Sequence, residues 1–267
     1  LCRFFFQEGK AVDSILRVQN LSAFFGREKI LENVNFEICR GEFSCLTGAN
    51  GSGKSTLLSI VAGVNRKASY TKKSVPFENL YPKERAKKIA WLSQTEFSAW
   101  DFLAKDVILT GRFPYTNFWG NYSAEDYRIA EKTAAEMKIS DIAEKNVSCL
   151  SGGEFQKIRI CRTLVQGTPF VLLDEPVANL DFSYQEELLS FLKKFAREKN
   201  CGILASIHDV NTAARFADKM ILLPKLAPCI SGIPREIMTE ENLFAAYGTR
   251  VQICIHPVYN SPMAVFV

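Results

Sequence analysis

The chain has 267 residues, 47% of them hydrophobic and 23% charged, with a formal net charge of +4. That length holds one large domain with an inserted subdomain and a sizeable core. The charge is too mild to argue for nucleic-acid binding, and no apolar stretch is long enough to span a bilayer.

Residues 1–12 carry no clear pattern and do not begin with Met, and Phe4-Phe5-Phe6 is too short for the apolar core of a signal peptide. These features predict a cytoplasmic protein whose membrane path, if it has one, comes from other chains. Residues 15–39 alternate, as in Ile15-Leu16-Arg17-Val18 and Val34-Asn35-Phe36-Glu37-Ile38, which predicts an antiparallel sheet.

Residues 42–47 read as a strand and residues 56–61 as the first turns of a helix. Between them, residues 48–55 satisfy G-x-x-x-x-G-K-[ST]. Strand, glycine loop and helix together make a phosphate cradle. Gly48, Gly51 and Gly53 let successive N–H groups turn inward as an anion nest. The helix beginning near Gly53 points its positive end at the same place. Lys54 adds a full charge for β- and γ-phosphates, and the Ser55 hydroxyl suits Mg²⁺, which takes hard oxygen ligands.

About residues 95–166 read as mostly helical. They include Val107-Ile108-Leu109-Thr110-Gly111-Arg112-Phe113-Pro114-Tyr115, then further aromatics and Ser123-Ala124-Glu125-Asp126. Near the end of this region Ser151, Gly152 and Gly153 open a helix whose early residues include Lys157 and Arg159. Free N–H groups, a hydroxyl and a positive dipole end predict a second anion site there. The plain alternative is an ordinary N-cap with glycines.

Val171-Leu172-Leu173 is a continuous apolar run, as for a strand buried in a parallel sheet. Such strands present functional groups at their carboxyl ends, where Asp174 and Glu175 lie. Asp174 is the candidate to hold Mg²⁺ through a water, and Glu175 the candidate general base that orients an attacking water. Helical patterning follows over residues 184–199. A second apolar strand, residues 202–207, ends in His208, placed to donate to a γ-phosphate. His256 lacks such a context and reads as structural. Pro224, Pro228 and Pro234 mark a looser tail. The eight cysteines form no C-x-x-C pair, and most lie in apolar runs, so they read as small buried residues in a reducing compartment, with Cys149 the one open to oxidation.

From about Ile15 to the end, these motifs resemble the nucleotide-binding subunit of ATP-binding-cassette transporters. The resemblance implies an α/β P-loop NTPase (RecA-like) fold with an N-terminal antiparallel β subdomain and an inserted α-helical signature subdomain. The whole chain, residues 1–267, would be one such domain. Residues 12–94 and 167–235 would form the nucleotide-binding core with its β subdomain, 95–166 the helical subdomain and 236–267 a C-terminal tail. Gly48, Asn50, Gly51, Ser52, Gly53, Lys54, Ser55 and Thr56 match the Walker A loop, and Asp174 with Glu175 the end of Walker B. Gln94, after the strand Ile89-Ala90-Trp91-Leu92, matches the glutamine that touches Mg²⁺ and couples to the membrane subunit. Ser151, Gly152 and Gly153 match the family signature, Asp181 the D-loop aspartate, His208 the switch histidine and Phe25 the aromatic that stacks on adenine. The implied catalyst is an ATPase using ATP and Mg²⁺, with each nucleotide sandwiched between Lys54 of one copy and Ser151 of the other in a head-to-tail homodimer.

This sequence departs from the usual pattern at Phe25 for tyrosine, Glu154 for glutamine, Phe155 for arginine, and Val177-Ala178 for Thr-Ser. None of these touches Lys54, Ser55, Asp174, Glu175 or His208, so activity is expected with dimer contacts slightly altered. The Gly111-Arg112-Phe113-Pro114 turn and the segment Gly232-Ile233-Pro234-Arg235-Glu236-Ile237-Met238-Thr239 look like the branch that imports iron–siderophore chelates, haem and vitamin B12. That branch implies transmembrane permease subunits, indirectly a secreted or periplasmic substrate-binding protein, and a place on the cytoplasmic face of the membrane. An aromatic surface near Gln94 would suit a coupling helix of the permease, whereas the same aromatics could equally be subdomain core. The rival readings are a soluble single-cassette ATPase of iron–sulfur cluster assembly and an exporter ATPase. The Gly111 turn argues against both.

Overall fold

Alternating hydrophobicity becomes an antiparallel ladder between β1 (Ile15–Phe25) and β2 (Glu28–Cys39), with the short β4 (Ser69–Tyr70) added to β1. Leu16, Val18, Leu21 and Ala23 of β1 are buried. Register shifts beyond Val18 bend the ladder where the alternation breaks. The computed structural model describes residues 14–65, 67–71, 77, 79–94, 101–178 and 180–267. The patternless residues 1–12 and the expected start of the helical region at Thr95 lie outside them.

The main sheet has the strand order β5 (Ile89–Leu92), β6 (Phe170–Leu173), β7 (Gly202–Ser206), β3 (Phe43–Thr47), β8 (Lys219–Leu222), β9 (Ile230–Gly232). Neighbours from β5 through β8 run parallel, and β9 returns antiparallel to β8. Both faces are covered, which is why these strands read as unbroken apolar runs. Successive side chains point to opposite faces. Leu46, Phe170, Leu172 and Leu204 join β1, β2 and α1 (Lys54–Val61) in one core. Cys45, Val171, Leu173, Ile203 and Ala205 join the helices of the other face.

Those helices are α3 (Ala104–Leu109), α4 (Ala124–Glu136), α5 (Ser140–Ala143), α6 (Gly152–Val165), α7 (Phe182–Glu198) and α8 (Val210–Phe216). The short α2 (Pro82–Ala86) precedes β5. No described helix is long and apolar enough to cross a membrane.

The Gly111-Arg112 turn, a 3-10 segment over Thr110–Tyr115, knits the helical region together. A Cβ on Gly111 would stand 2.1 Å from the Arg162 carbonyl of α6, so only glycine permits this approach. Arg112 is buried and donates to Asp126 of α4 at 2.8 Å and to the Val165 carbonyl ending α6 at 2.9 Å. Its guanidinium also stacks 3.9 Å from the Tyr115 ring centroid. The aromatics that follow are surface groups: Phe118 is 94% and Trp119 81% exposed, and Phe113 is exposed as well.

Two expectations need correction. The prolines at 224, 228 and 234 do not introduce a loose tail. Pro234 sits in the first turn of α9 (Pro234–Ile237), where its missing N–H costs nothing. The chain goes on through α10 (Glu240–Tyr247) to a hairpin of β10 (Val251–Ile255) and β11 (Pro262–Phe266). Leu243, Ala246, Val251 and Ala264 are buried in the helical-face core. Nor are the cysteines uniformly buried. Cys45, Cys161 and Cys201 are, Cys39 and Cys229 are half-buried, and Cys149 and Cys254 are exposed. Burial pushes the thiols of Cys45 and Cys161 well above their ordinary range.

Candidate functional site

Four parallel strands deliver the predicted residues at their carboxyl ends: β3 the cradle, β5 Gln94, β6 Asp174 and Glu175, and β7 His208. Parallelism therefore gathers groups that lie far apart in sequence along one edge of the sheet.

The cradle begins at Gly48, which has a φ of 152°. A Cβ at this position would stand 2.5 Å from the Leu223 carbonyl oxygen, so the loop excludes a side chain here. α1 starts at Lys54, directly after Gly53. Lys54 is buried, and its Nζ donates to the carbonyls of Gly48 at 2.8 Å and Ala49 at 3.0 Å. Burial lowers its ammonium pKa from the ordinary range, opposed by the nearby negative charges of Glu175 and Asp174. The Ser52 hydroxyl is buried in the loop with no hydrogen-bond partner among the described residues. Asn50 and Gly51, at the tip, are exposed. On the far side, Leu31 and Ile30 of β2 press on Gly53, so the antiparallel sheet backs the loop. Phe25 is half-exposed at the end of β1.

Asp174 is almost fully buried, and burial raises its carboxyl pKa above the usual range. Hydrogen bonds from Ser55 and Ser206 oppose that rise. Ser206 Oγ donates to Asp174 Oδ1 at 2.7 Å and accepts from the Glu175 N–H at 2.8 Å. Adjacent strand residues face opposite ways, yet Asp174 and Glu175 both act on Lys54. The backbone explains this: Glu175 has a φ of 51°, in the left-handed region, which breaks the strand's alternation. Such a conformation costs on the order of 1–3 kcal/mol and persists only where surrounding bonds fix it. Here Ser206 supplies one of those bonds. His208 Nε2 lies 2.6 Å from Glu175 Oε1, joining the ends of β7 and β6.

The second predicted anion site has a different make-up. Ser151 caps α6 in a capping box: its Oγ and N–H both donate to Glu154 Oε2 at 2.9 Å, and Oγ accepts from the Glu154 N–H at 3.2 Å. These bonds hold the Glu154 carboxyl down at about 2, with Lys145 adding to them. The early basic residues Lys157 and Arg159 are engaged away from this helix end. Lys157 sits 3.6 Å above the Tyr184 ring centroid. Arg159 is buried and donates to Gln156 Oε1 at 2.6 Å and to the Ser93 carbonyl at 2.5 Å. Helical periodicity turns both side chains away from the first turn. Gly152 is exposed, and a Cβ there would meet nothing within 4 Å. Asp181 caps α7, accepting from the Tyr184 N–H at 2.8 Å.

The positioning roles of two residues were not read from the sequence. Ser206 was legible only as a hydroxyl interrupting an apolar strand just before Ile207-His208. Arg159 grips the peptide immediately before Gln94, which is itself exposed. His256 is structural as expected, its Nδ1 accepting from the N–H groups of Val258 and Tyr259 at 3.2 and 3.3 Å.

A family profile described as ABC transporter matches residues 31–178. The ferric enterobactin transport ATP-binding protein FepC of Escherichia coli is 33% identical over 252 residues, covering 94% of this chain and 93% of that protein. The hemin import ATP-binding protein HmuV of Deinococcus radiodurans is 33% identical over 255 residues, covering 94% and 96%. Among solved structures, a metal-chelate type ABC transporter in an inward-facing conformation matches with a TM-score of 0.77 at 27% identity, covering 95% of this chain and 96% of that one. The cradle, the paired carboxylates and the parallel sheet that aligns them are thus those of an ATP-hydrolysing cassette, and the chain belongs to the ABC transporter family.

Proposed function

We propose that this chain is the ATPase subunit of an importer for an iron chelate, acting as a pair of copies on the cytoplasmic face of a transmembrane permease. The observation that carries the ATPase chemistry is the hydrogen-bonded chain Asp174–Ser206–Glu175–His208 at one sheet edge, with the buried Lys54 within the field of both carboxylates. Likeness along almost the whole chain to FepC, HmuV and a metal-chelate type transporter supports the cargo class.

Phosphates enter where the Gly48 and Ala49 carbonyls now hold the Lys54 ammonium, and they compete for it. The unpartnered Ser52 hydroxyl offers one further donor. Magnesium suits the donor set: Ser55 hydroxyl, Asp174 carboxylate and Gln94 amide are hard oxygen groups, and the Ser55 hydroxyl works against the burial-driven rise of the Asp174 pKa. Bound there, the ion would neutralise charge on the transferred phosphoryl group. Glu175 orients the attacking water and takes its proton, and His208 fixes the carboxylate that does so. Phe25 stacks on the adenine ring.

Ser151, Gly152 and Gly153 serve the nucleotide of the other copy, with Asp181 beside the same interface. Among the described residues a Cβ on Gly152 meets open space, so none of them requires a glycine there. A glycine needed by no internal contact fits close approach from outside. Gly152→Val should therefore leave the melting temperature within about a degree or two of wild type while abolishing ATP-driven pairing of copies, read by light scattering, and lowering turnover about tenfold or more. Unchanged turnover would remove the shared-site reading.

The exposed Phe113, Phe118 and Trp119 form an apolar surface for a permease helix. For the cargo, the chain would be assembled with its permease and secreted binding protein in vesicles. Ferric siderophore or haem is expected to accelerate ATP hydrolysis and to enter the lumen. Stimulation by cobalamin alone, or by none of the three, would reject the iron-chelate assignment.

A further inference from the structure

The C-terminal segment reaches both halves of the candidate site. On one side, the Ala49 N–H of the cradle donates to the Ala246 carbonyl of α10 at 3.4 Å. Tyr247, the next residue, aims its hydroxyl at the Thr47 side chain and the Gly48 backbone. Among the described residues neither the Tyr247 nor the Thr47 hydroxyl closes a full hydrogen bond, and both are buried. On the other side, Asn211, three residues beyond His208, clamps β11: its Nδ2 donates to the Ala264 carbonyl at 3.0 Å and its Oδ1 accepts from the Ala264 N–H at 2.7 Å. A small cavity of about 70 Å³ between the two contacts is lined by His208, Val210, Leu243, Tyr247 and Ala264, among others.

The geometry of one peptide shows what this arrangement does. N–H and C=O of a trans peptide point in opposite directions. The Gly48–Ala49 unit gives its N–H to Ala246, away from the cradle, and so turns its carbonyl the other way. That carbonyl accepts from Lys54 Nζ at 2.8 Å. α10 thereby sets the face of the loop on which the lysine is held. β11, in the same C-terminal unit, is fixed through Asn211 to the first turn of α8, whose cap, Asp209, directly follows His208.

We propose that α10 and the β10–β11 hairpin form a brace that sets the phosphate cradle and the His208 loop relative to each other, with Tyr247 and Asn211 as its positioning residues. The proposal rests on Lys54 serving the phosphates, as argued above. It predicts an effect that travels. Asn211 sits on the His208 side, whereas ADP has no γ-phosphate for His208 to meet. The brace predicts that a change at Asn211, whose side chain holds β11, reaches ADP affinity.

The test is ADP binding by full-length Asn211→Ala, followed with a fluorescent ADP well below the melting temperature. The expected result is ADP binding weakened about three- to tenfold, in the range seen for coupling through contiguous contacts, together with slower ATP turnover. A purely structural role would lower the melting temperature and leave ADP affinity of the folded protein unchanged, and that result overturns the brace. Should Asn211→Ala fail to fold, Asn211→Asp, which keeps the acceptor for the Ala264 N–H and loses the donor to its carbonyl, decides in its place: weakened ADP binding supports the brace, and wild-type affinity rejects it. Lys54→Ala is the parallel control. If it keeps full ATP turnover, the assignment of the cradle fails; if it loses turnover while Asn211→Ala binds ADP normally, the brace alone fails.

Discussion

Glu175→Gln is expected to bind ATP about as tightly as wild type, to hydrolyse it at least about a hundredfold more slowly, and to accumulate as an ATP-held pair of copies. The substitution keeps the side chain's shape and one oxygen. His208 therefore retains a partner for its 2.6 Å contact, and the Glu175 N–H still donates to Ser206. The backbone at φ 51° is held by the same neighbours. What disappears is the ability to take a proton from water, which is the component a general base supplies. Binding groups are untouched, so the loss should fall on kcat and spare KM. Single-turnover hydrolysis and size-exclusion chromatography with ATP check both halves. Wild-type turnover would remove Glu175 from the proton-transfer role.

Lys54→Ala should act at the earlier step. The ammonium is buried against two loop carbonyls and within the field of Asp174 and Glu175. Removing it takes away the cationic partner of the phosphates and leaves two carboxylates facing the cradle. A charge in a buried hydrogen-bonded pair is worth about 2–5 kcal/mol when its partner is truncated, so ATP affinity should fall by roughly thirtyfold or more. Titration with a fluorescent ATP analogue measures the loss. Circular dichroism would report a retained fold, since Leu46 of β3 and Leu57, Leu58, Ile60 and Val61 of α1 keep their place in the core. Affinity within about twofold of wild type would contradict the placement of Lys54.

Much of this was legible in the sequence because the carriers are local. A glycine loop between strand and helix announces its own geometry, and an apolar strand followed by Asp-Glu or by His announces a sheet edge. What stayed hidden depends on tertiary placement. Lys157 and Arg159 are near Ser151 in sequence, but helix geometry sends one over Tyr184 and the other to the Ser93 carbonyl. The left-handed turn at Glu175 cannot be read from residue type, since glutamate has no preference for it. Pro224, Pro228 and Pro234 signalled looseness because single-residue punctuation says nothing of the buried Leu243, Ala246 and Ala264 that fold the segment back. Arg112 was read for its family resemblance, whereas its bonds to Asp126 and Val165 show a fastening between α4 and α6.

The strand order has a consequence for biosynthesis. β3, which leads into the cradle, is hydrogen-bonded to β7 and β8, through pairs such as Phe43 with Ile203 and Leu46 with Ile221. A growing polypeptide leaving the ribosome therefore exposes the nucleotide loop long before either flanking strand exists. Loop closure over such separations is slow, and unpaired strand edges invite association with other chains. Nascent chains arrested before residue 202 would carry the complete Walker A motif and still lack the sheet that shapes it.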